Sequence, residues 1–146
     1  MNILVLNGPN LNLLGTREPG VYGSMTLADM MESLKRHGAA KDVGVEWLQS
    51  NEEGHLVTAI GKSPGVYDGL ILNPAAYTHT SVAIRDALQA VCVPCVEAHL
   101  SNIHAREGFR HMSMTAAACI GQISGFGPMS YTLALDAVVD YLSKHK

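Results

Sequence analysis

Residues 69–74 read Gly69-Leu70-Ile71-Leu72-Asn73-Pro74. The run Gly69–Leu72 has no polar alternation, the pattern of a strand buried on both faces. Asn73 ends it, and Pro74, which has no backbone N–H to give a ladder, breaks it. A strand covered on both sides needs partners of its own kind, and the chain supplies four. Ile3–Leu6, Val43–Leu48, Pro94–Ala98 and Ala117–Ile123 are further short runs rich in Val, Ile and Leu or other small apolar residues. The segments between them have helical period. Leu27, Met30, Met31 and Leu34 fall at i, i+3, i+4 and i+7; Ile84, Ala87, Leu88 and Val91 repeat the spacing, as do Leu135, Val138, Val139 and Leu142. Each set forms one apolar stripe along a helix. Gly54–Lys62 carries a weaker stripe of Leu56, Ala59 and Ile60.

Strands alternating with helices predict an α/β fold of three layers, with right-handed crossovers and a parallel sheet covered on both sides. For five strands the flavodoxin-like order 2-1-3-4-5 is the natural choice. A length of 146 residues predicts one domain spanning 1–146. Apolar residues make up 47% and charged residues 16%, the latter against roughly 25% in an average soluble domain. That composition excludes a disordered chain and a coiled coil. The net charge is −3 with no basic run, so nucleic acid is not an expected partner. No secretory leader and no apolar stretch of membrane-spanning length is visible, which predicts a cytoplasmic protein. Cys92, Cys95 and Cys119 are too few and odd in number for a disulfide framework. Low charge with a mean hydropathy of +0.12 points to surface covered by other subunits.

In such folds ligands bind outside the carboxyl ends of the strands, where the strand order reverses. The first loop, Asn7–Gly23, is long for its class and carries Asn10, Asn12, Arg17, Glu18 and Tyr22. A guanidinium beside a tyrosine lowers the phenol's pKa from about 10 and makes it a base; the alternative is a solvated Arg17 and a packed Tyr22. The third loop, Ile71–Ser81, brings Asn73 and His79 to the sheet edge, with Thr78 or Thr80 able to cap the following helix. His79 itself is either a ligand contact or a capping residue. Asp86 is seven residues beyond it, two turns on and on the same helix face. The fourth loop is the densest. Glu97 and His99, two apart in an extended backbone, share a face, and a carboxylate beside an imidazole suits a general acid. Ser101, Asn102 and their amides follow as carboxylate binders, then Arg106 and Arg110, one turn apart if that segment is helical.

Two motifs are discounted. Cys92-Val93-Pro94-Cys95 has redox spacing, but a helix precedes it and a strand follows, the reverse of a thioredoxin-type site. Gly125-Phe126-Gly127 approaches a dinucleotide fingerprint but lies on the last strand–helix turn; its glycines are expected to close a tight turn.

Taken together, NGPNLNLLGTREP with Tyr22-Gly23, LNPAAYTHTS, EAHLSNIHAREGFR and ISGFG resemble type II 3-dehydroquinate dehydratase from Asn2 to about Leu142. The resemblance implies a flavodoxin-like fold, dehydration of 3-dehydroquinate to 3-dehydroshikimate on the shikimate pathway to chorismate and the aromatic amino acids, no metal or cofactor, and a dodecamer built as a tetramer of trimers. It implies Tyr22 as the base alpha to the ketone, Arg17 as the group holding Tyr22 deprotonated, His99 as the acid for the departing hydroxyl and Glu97 as its orienter. Asn12 and Asn73 would steady an enolate. The amides of Leu100 and Ser101 would bind the carboxylate, His79 and Arg110 the ring hydroxyls, and Asp86 a neighbouring subunit's substrate, with Arg106 near the lid. Many members have Gly where this chain has Ala75 and Pro where it has Gly108.

The residues carry the chemistry without the family name. Proton removal beside a ketone creates an enolate that needs donors aimed at the oxyanion, and the later loss of hydroxide needs an acid. A lysine imine is disfavoured because Lys35, Lys41, Lys62, Lys144 and Lys146 all lie in or at the ends of predicted helices. The competing reading is a non-catalytic flavodoxin-like binder of a flavin or nucleotide. The first loop lacks the Ser, Thr and Gly density that cradles phosphate. A third reading, an inactive shell, sits poorly with Tyr22, Arg17 and His99 present together.

Overall fold

The computed structural model describes residues 1–16 and 23–145. Five parallel strands, β1 (Asn2–Asn7), β2 (Gly44–Gln49), β3 (Gly69–Asn73), β4 (Cys95–His99) and β5 (Gly121–Ser124), form one sheet in the order β2-β1-β3-β4-β5. Among the described residues four α-helices connect them: α1 (Leu27–Ala39), α2 (Glu53–Gly61), α3 (Val82–Val91) and α4 (Met129–Lys144). The flavodoxin-like three-layer sandwich is therefore the fold. Asn7 stands in register with both Gln49 and Asn73. The order reverses between β1 and β3, and a crevice opens there at the strands' carboxyl ends.

The unalternating runs are buried as expected; all five residues of β3 and of β4 are buried. One core lies between the sheet and helices α1 and α4, built from Ile3, Val5, Met31, Leu34, Ile71, Val96, Leu135 and Val138. The other, on the opposite face, joins Leu4, Leu6, Leu70 and Leu72 to Leu56, Ile60, Ile84 and Leu88. Alternate residues of each strand thus feed the two cores. Helix α1 starts at a capping box: Thr26 Oγ1 accepts from the Asp29 amide at 3.1 Å while Asp29 Oδ2 accepts from the Thr26 amide at 3.0 Å. Among the described residues no helix is long and apolar enough to cross a membrane.

Four local expectations need correction. The last strand does not begin at Ala117; Ala116–Ala118 is a 3₁₀ turn, and β5 is confined to Gly121–Ser124. Alanines carry too little β-branched bulk to hold an extended edge against a turn. Helix α3 is capped by Ser81, whose Oγ accepts from the Ile84 amide at 2.9 Å, rather than by Thr78 or Thr80. His79 therefore belongs to a separate 3₁₀ turn, Ala75–His79, and shares no helix face with Asp86. Arg106 and Arg110 are not on one helix either: Arg106 is extended between the 3₁₀ turns Ile103–Ala105 and Gly108–Arg110. The reversed geometry of the cysteine pair is as expected. Cys92 ends α3 in the left-handed region and Cys95 begins β4, with all three cysteines free.

Candidate active site

The crevice holds a cavity of about 310 Å³ lined by the loops after β1, β3 and β4. Two local features of the sequence let those loops meet. Gly8 donates its amide to the Asn73 carbonyl at 2.8 Å, and a Cβ there would fall on the Pro74 carbonyl, so only glycine allows this approach. Gly125, at φ +101°, turns the chain back over Asn102 and leads through Gly127 into α4. These glycines thus do close the turn that the fingerprint-like spacing marks.

Behind the cavity a buried polar bridge joins β1, β3 and α4. Tyr131 Oη donates to Asn7 Oδ1 at 2.6 Å and accepts from Asn73 Nδ2 at 2.9 Å. Burial pushes the Tyr131 phenol well above its usual range, with the Asn73 donor opposing. Asn73 Oδ1 in turn accepts the Ala75 amide at 3.2 Å. With Oδ1 and one of its two N–H donors engaged, Asn73 reaches the cavity as a rigid amide with its second N–H to offer.

At the end of β4, Glu97 and His99 do share a face. His99 Nε2 lies 2.7 Å from Glu97 Oε1, and an ionised carboxylate only accepts, so the ring donates. Thr78 Oγ1, Ser113 Oγ and Gln122 Nε2 also reach Oε1, each at 2.8 Å, and Thr115 Oγ1 reaches Oε2 at 2.5 Å. Burial alone would push the Glu97 pKa up. The hydrogen bonds and charge of His99, with those from Thr115 and Thr78, overcome that and bring it from 4.5 down to about 2. Glu97 is fully buried behind His99, which lines the cavity.

The rim carries the cations. His79 Nδ1 donates to the Met112 carbonyl at 2.8 Å, which leaves Nε2 for the cavity it lines. Arg106 and Arg110 line the same space, Arg110 Nε bonded to Glu107 at 2.9 Å. No Asp or Glu lines the cavity among the described residues, so its wall is complementary to an anion. The carbonyls of His99, Leu100 and Ser101 are tied to Gly125 N, Gly127 N and Ser124 Oγ. Those bonds hold the backbone of Leu100 and Ser101 at the cavity wall.

Of the residues expected from the sequence, Asn73, His79, His99, Leu100, Ser101, Arg106 and Arg110 line one cavity, with Glu97 behind His99. Asn12 sits in the 3₁₀ turn Leu11–Leu13, exposed and outside the lining. Asp86 is exposed on α3 and does not reach this cavity. Arg17 and Tyr22 lie outside the described residues. Three groups went unread in the sequence: Asn7 with Tyr131, the hydroxyls around Glu97, and the backbone at Ala75. Ala75 adopts φ +51° and lines the cavity, so an L residue is held there in a conformation that favours glycine.

Comparison with known proteins agrees with this geometry. The family model described as Dehydroquinase class II matches residues 1–139. The 3-dehydroquinate dehydratase of Synechocystis sp. is 60% identical over 141 residues, covering 97% of this chain and 93% of that protein. The enzyme of the same name from Ruegeria pomeroyi is 56% identical over 142 residues, 97% of this chain and 95% of that one. Among solved structures, the type II dehydroquinase of Butyrivibrio crossotus superposes with a TM-score of 0.92 at 43% identity, covering 95% of this chain and 97% of that chain. With the family model spanning nearly the whole chain and such relatives along its length, this chain belongs to the class II dehydroquinase family.

Proposed function

We infer that this chain is a 3-dehydroquinate dehydratase, one catalytic domain over residues 1–146 that removes water from 3-dehydroquinate to give 3-dehydroshikimate on the shikimate pathway. Relatives of 52–60% identity bear the name of that activity. The observation that carries the mechanism is the buried Glu97–His99 pair opening onto a cavity that Arg106 and Arg110 line.

The substrate carries a carboxylate, ring hydroxyls and a ketone with a proton on the adjacent carbon. In this reading Tyr22, its phenolate favoured by Arg17, takes that proton, and the electron pair moves to the ketone oxygen as an enolate. Asn73, rigid on its Tyr131 bridge, offers a fixed amide towards that charge, and Asn12 supplies the second contact. The enolate then collapses: its electrons form the ring double bond and expel the hydroxyl beta to the ketone. His99 delivers the proton that makes the leaving group water. Its Nε2 is committed to Glu97, so Nδ1 is the nitrogen left for the substrate. Leu100 and Ser101 amides hold the carboxylate, His79 and Arg110 the hydroxyls, and Arg106 guards the rim. No step calls for a metal or an organic cofactor. A general acid or base of this kind contributes on the order of 10² to 10⁴ in rate.

Asp86 is exposed and outside the lining of its own cavity, which supports a role towards the substrate of a neighbouring subunit. The assembly that satisfies this is a cytoplasmic homo-oligomer, the dodecamer of four trimers. His99→Ala and Tyr22→Phe should each nearly abolish turnover while the oligomer survives on a sizing column. Near-parental turnover in either variant refutes the role assigned to that residue.

A further inference from the structure

Glu97 accepts more hydrogen bonds than orientation of one imidazole requires, and the surplus donors come from segments distant in sequence. Thr78 lies in the turn Ala75–His79, Ser113 and Thr115 in the stretch after Arg110, and Gln122 on β5 beside Glu97. Thr78 Oγ1 is also 2.7 Å from Ser113 Oγ and 3.1 Å from Thr115 Oγ1, so the three hydroxyls form a cluster under the carboxylate. Thr78 and Thr115 are wholly inaccessible. We propose that Thr115, supported by Thr78, Ser113 and Gln122, is a positioning residue for His99: the cluster holds Glu97 in one orientation and shares the negative charge it presents to the ring. The proposal rests on His99 acting as the acid of the reaction above.

The chemistry follows from proton counting. A hydroxyl carries one proton, so each can donate to one acceptor at a time. Three side chains besides His99 compete for Oε1, but among the described residues Thr115 alone reaches Oε2. Loss of one Oε1 donor leaves others in place; loss of Thr115 strips an oxygen. The positive ends of these dipoles face the carboxylate and, beyond it, the imidazole. They share the negative charge that would otherwise favour a second proton on His99. An acid held by a bare carboxylate keeps its proton too tightly to give it up; one held by a shared carboxylate releases it. The other groups near the pair are Cys95 on the same strand face and Cys119 beside it. Hydrogen bonding between these thiols, with burial, keeps Cys95 well above the usual thiol range. His79, Arg106 and Arg110 line the same cavity as His99, and Tyr131 lies behind Asn73. The substitutions below leave all of them in place.

Thr115→Val keeps the shape and removes the donor, while Thr115→Ser keeps the donor. The reporter is the ring-carbon NMR titration of His99, identified among seven histidines by its loss in His99→Gln. Thr115→Val should raise the proton affinity of His99 about three- to tenfold, as expected for withdrawal of one charge-assisted hydrogen bond. With it the basic limb of kcat moves up in pH, and kcat falls roughly tenfold while KM stays within about twofold. Thr115→Ser should match the parent. Gln122→Met, at a half-buried edge position that tolerates change, should move His99 in the same direction by less. An unshifted His99 in both Thr115→Val and Gln122→Met overturns the proposal, as does an effect on KM alone, or Thr115→Ser behaving as Thr115→Val. If Thr115→Val does not fold, Gln122→Met decides. The titration needs no turnover, so a parent protein inactive on 3-dehydroquinate would refute the dehydratase reading separately.

Discussion

Replacing Tyr131 with Phe removes a single oxygen from the interior between β1, β3 and α4. That oxygen is at once the donor to Asn7 Oδ1 at 2.6 Å and the acceptor from Asn73 Nδ2 at 2.9 Å. All three side chains are almost wholly inaccessible, so water cannot replace it without opening the core. A buried polar group left unpaired costs about 1–3 kcal/mol, and here two are left, offset in part by the better transfer of a phenyl ring. The expected loss is about 2–4 kcal/mol. For a chain of this size it lowers the midpoint of thermal unfolding by roughly 5–15 °C. The control is Tyr67→Phe, whose hydroxyl donates to Glu46 at 2.6 Å at the surface and should change stability by less than about 0.5 kcal/mol. Urea and thermal unfolding followed by circular dichroism, at one fixed subunit concentration because assembly adds to apparent stability, separate the two. Freed from its bridge, Asn73 should also lose its fixed aim, and kcat should fall with the stability. A Tyr131→Phe protein within about 0.5 kcal/mol of the parent would refute the rigid-amide argument for Asn73.

Four further outcomes are expected. Ala75→Gly should stabilise the fold by about 0.5–1 kcal/mol in urea unfolding, because Ala75 sits at φ +51°. Glu97 is depressed from 4.5 to about 2 by its partners. A depressed carboxylate contributes stability that is complete above the unfolded value and lost as pH falls towards the folded one, so about 3 kcal/mol should disappear between pH 4.5 and 2. Glu97→Gln should flatten that part of the stability-against-pH curve. Gly8→Ala should cost several kcal/mol, since its Cβ collides with backbone rather than with a movable side chain. Activity should survive both a strong chelator and borohydride added with substrate; inactivation by the first would indicate a metal, by the second an imine.

The strands were readable because each is a short unalternating apolar run, and the helices because their stripes repeat at i, i+3 and i+4. From those two periods the sheet order and the crevice follow. The loops after β3 and β4 were readable too, since Asn73, His79, His99 and Arg110 are dense polar residues at strand ends. Spacing failed where it assumed a continuous helix. Asp86 and His79 are separated by the Ser81 cap, and Arg106 and Arg110 by a break between turns. The buried support was out of reach for another reason. Thr115 meets Glu97 across 18 residues of sequence, and Tyr131 meets Asn7 across 124. No local pattern distinguishes a threonine that donates to a buried carboxylate from one that caps a turn. Ala75 shows the same limit for backbone: its residue type argues against the left-handed region that the meeting of three loops imposes.

The claim at the centre of this account is that an acid–base pair in this crevice dehydrates 3-dehydroquinate unaided by metal or cofactor. Its most direct test is an ultraviolet assay of chelator-treated protein with 3-dehydroquinate, following the conjugated enone of the product. The account predicts a steady rise in absorbance that His99→Ala reduces by on the order of 10² or more. A flat trace from folded protein in its native assembly, or a rise that His99→Ala leaves unchanged, would contradict it.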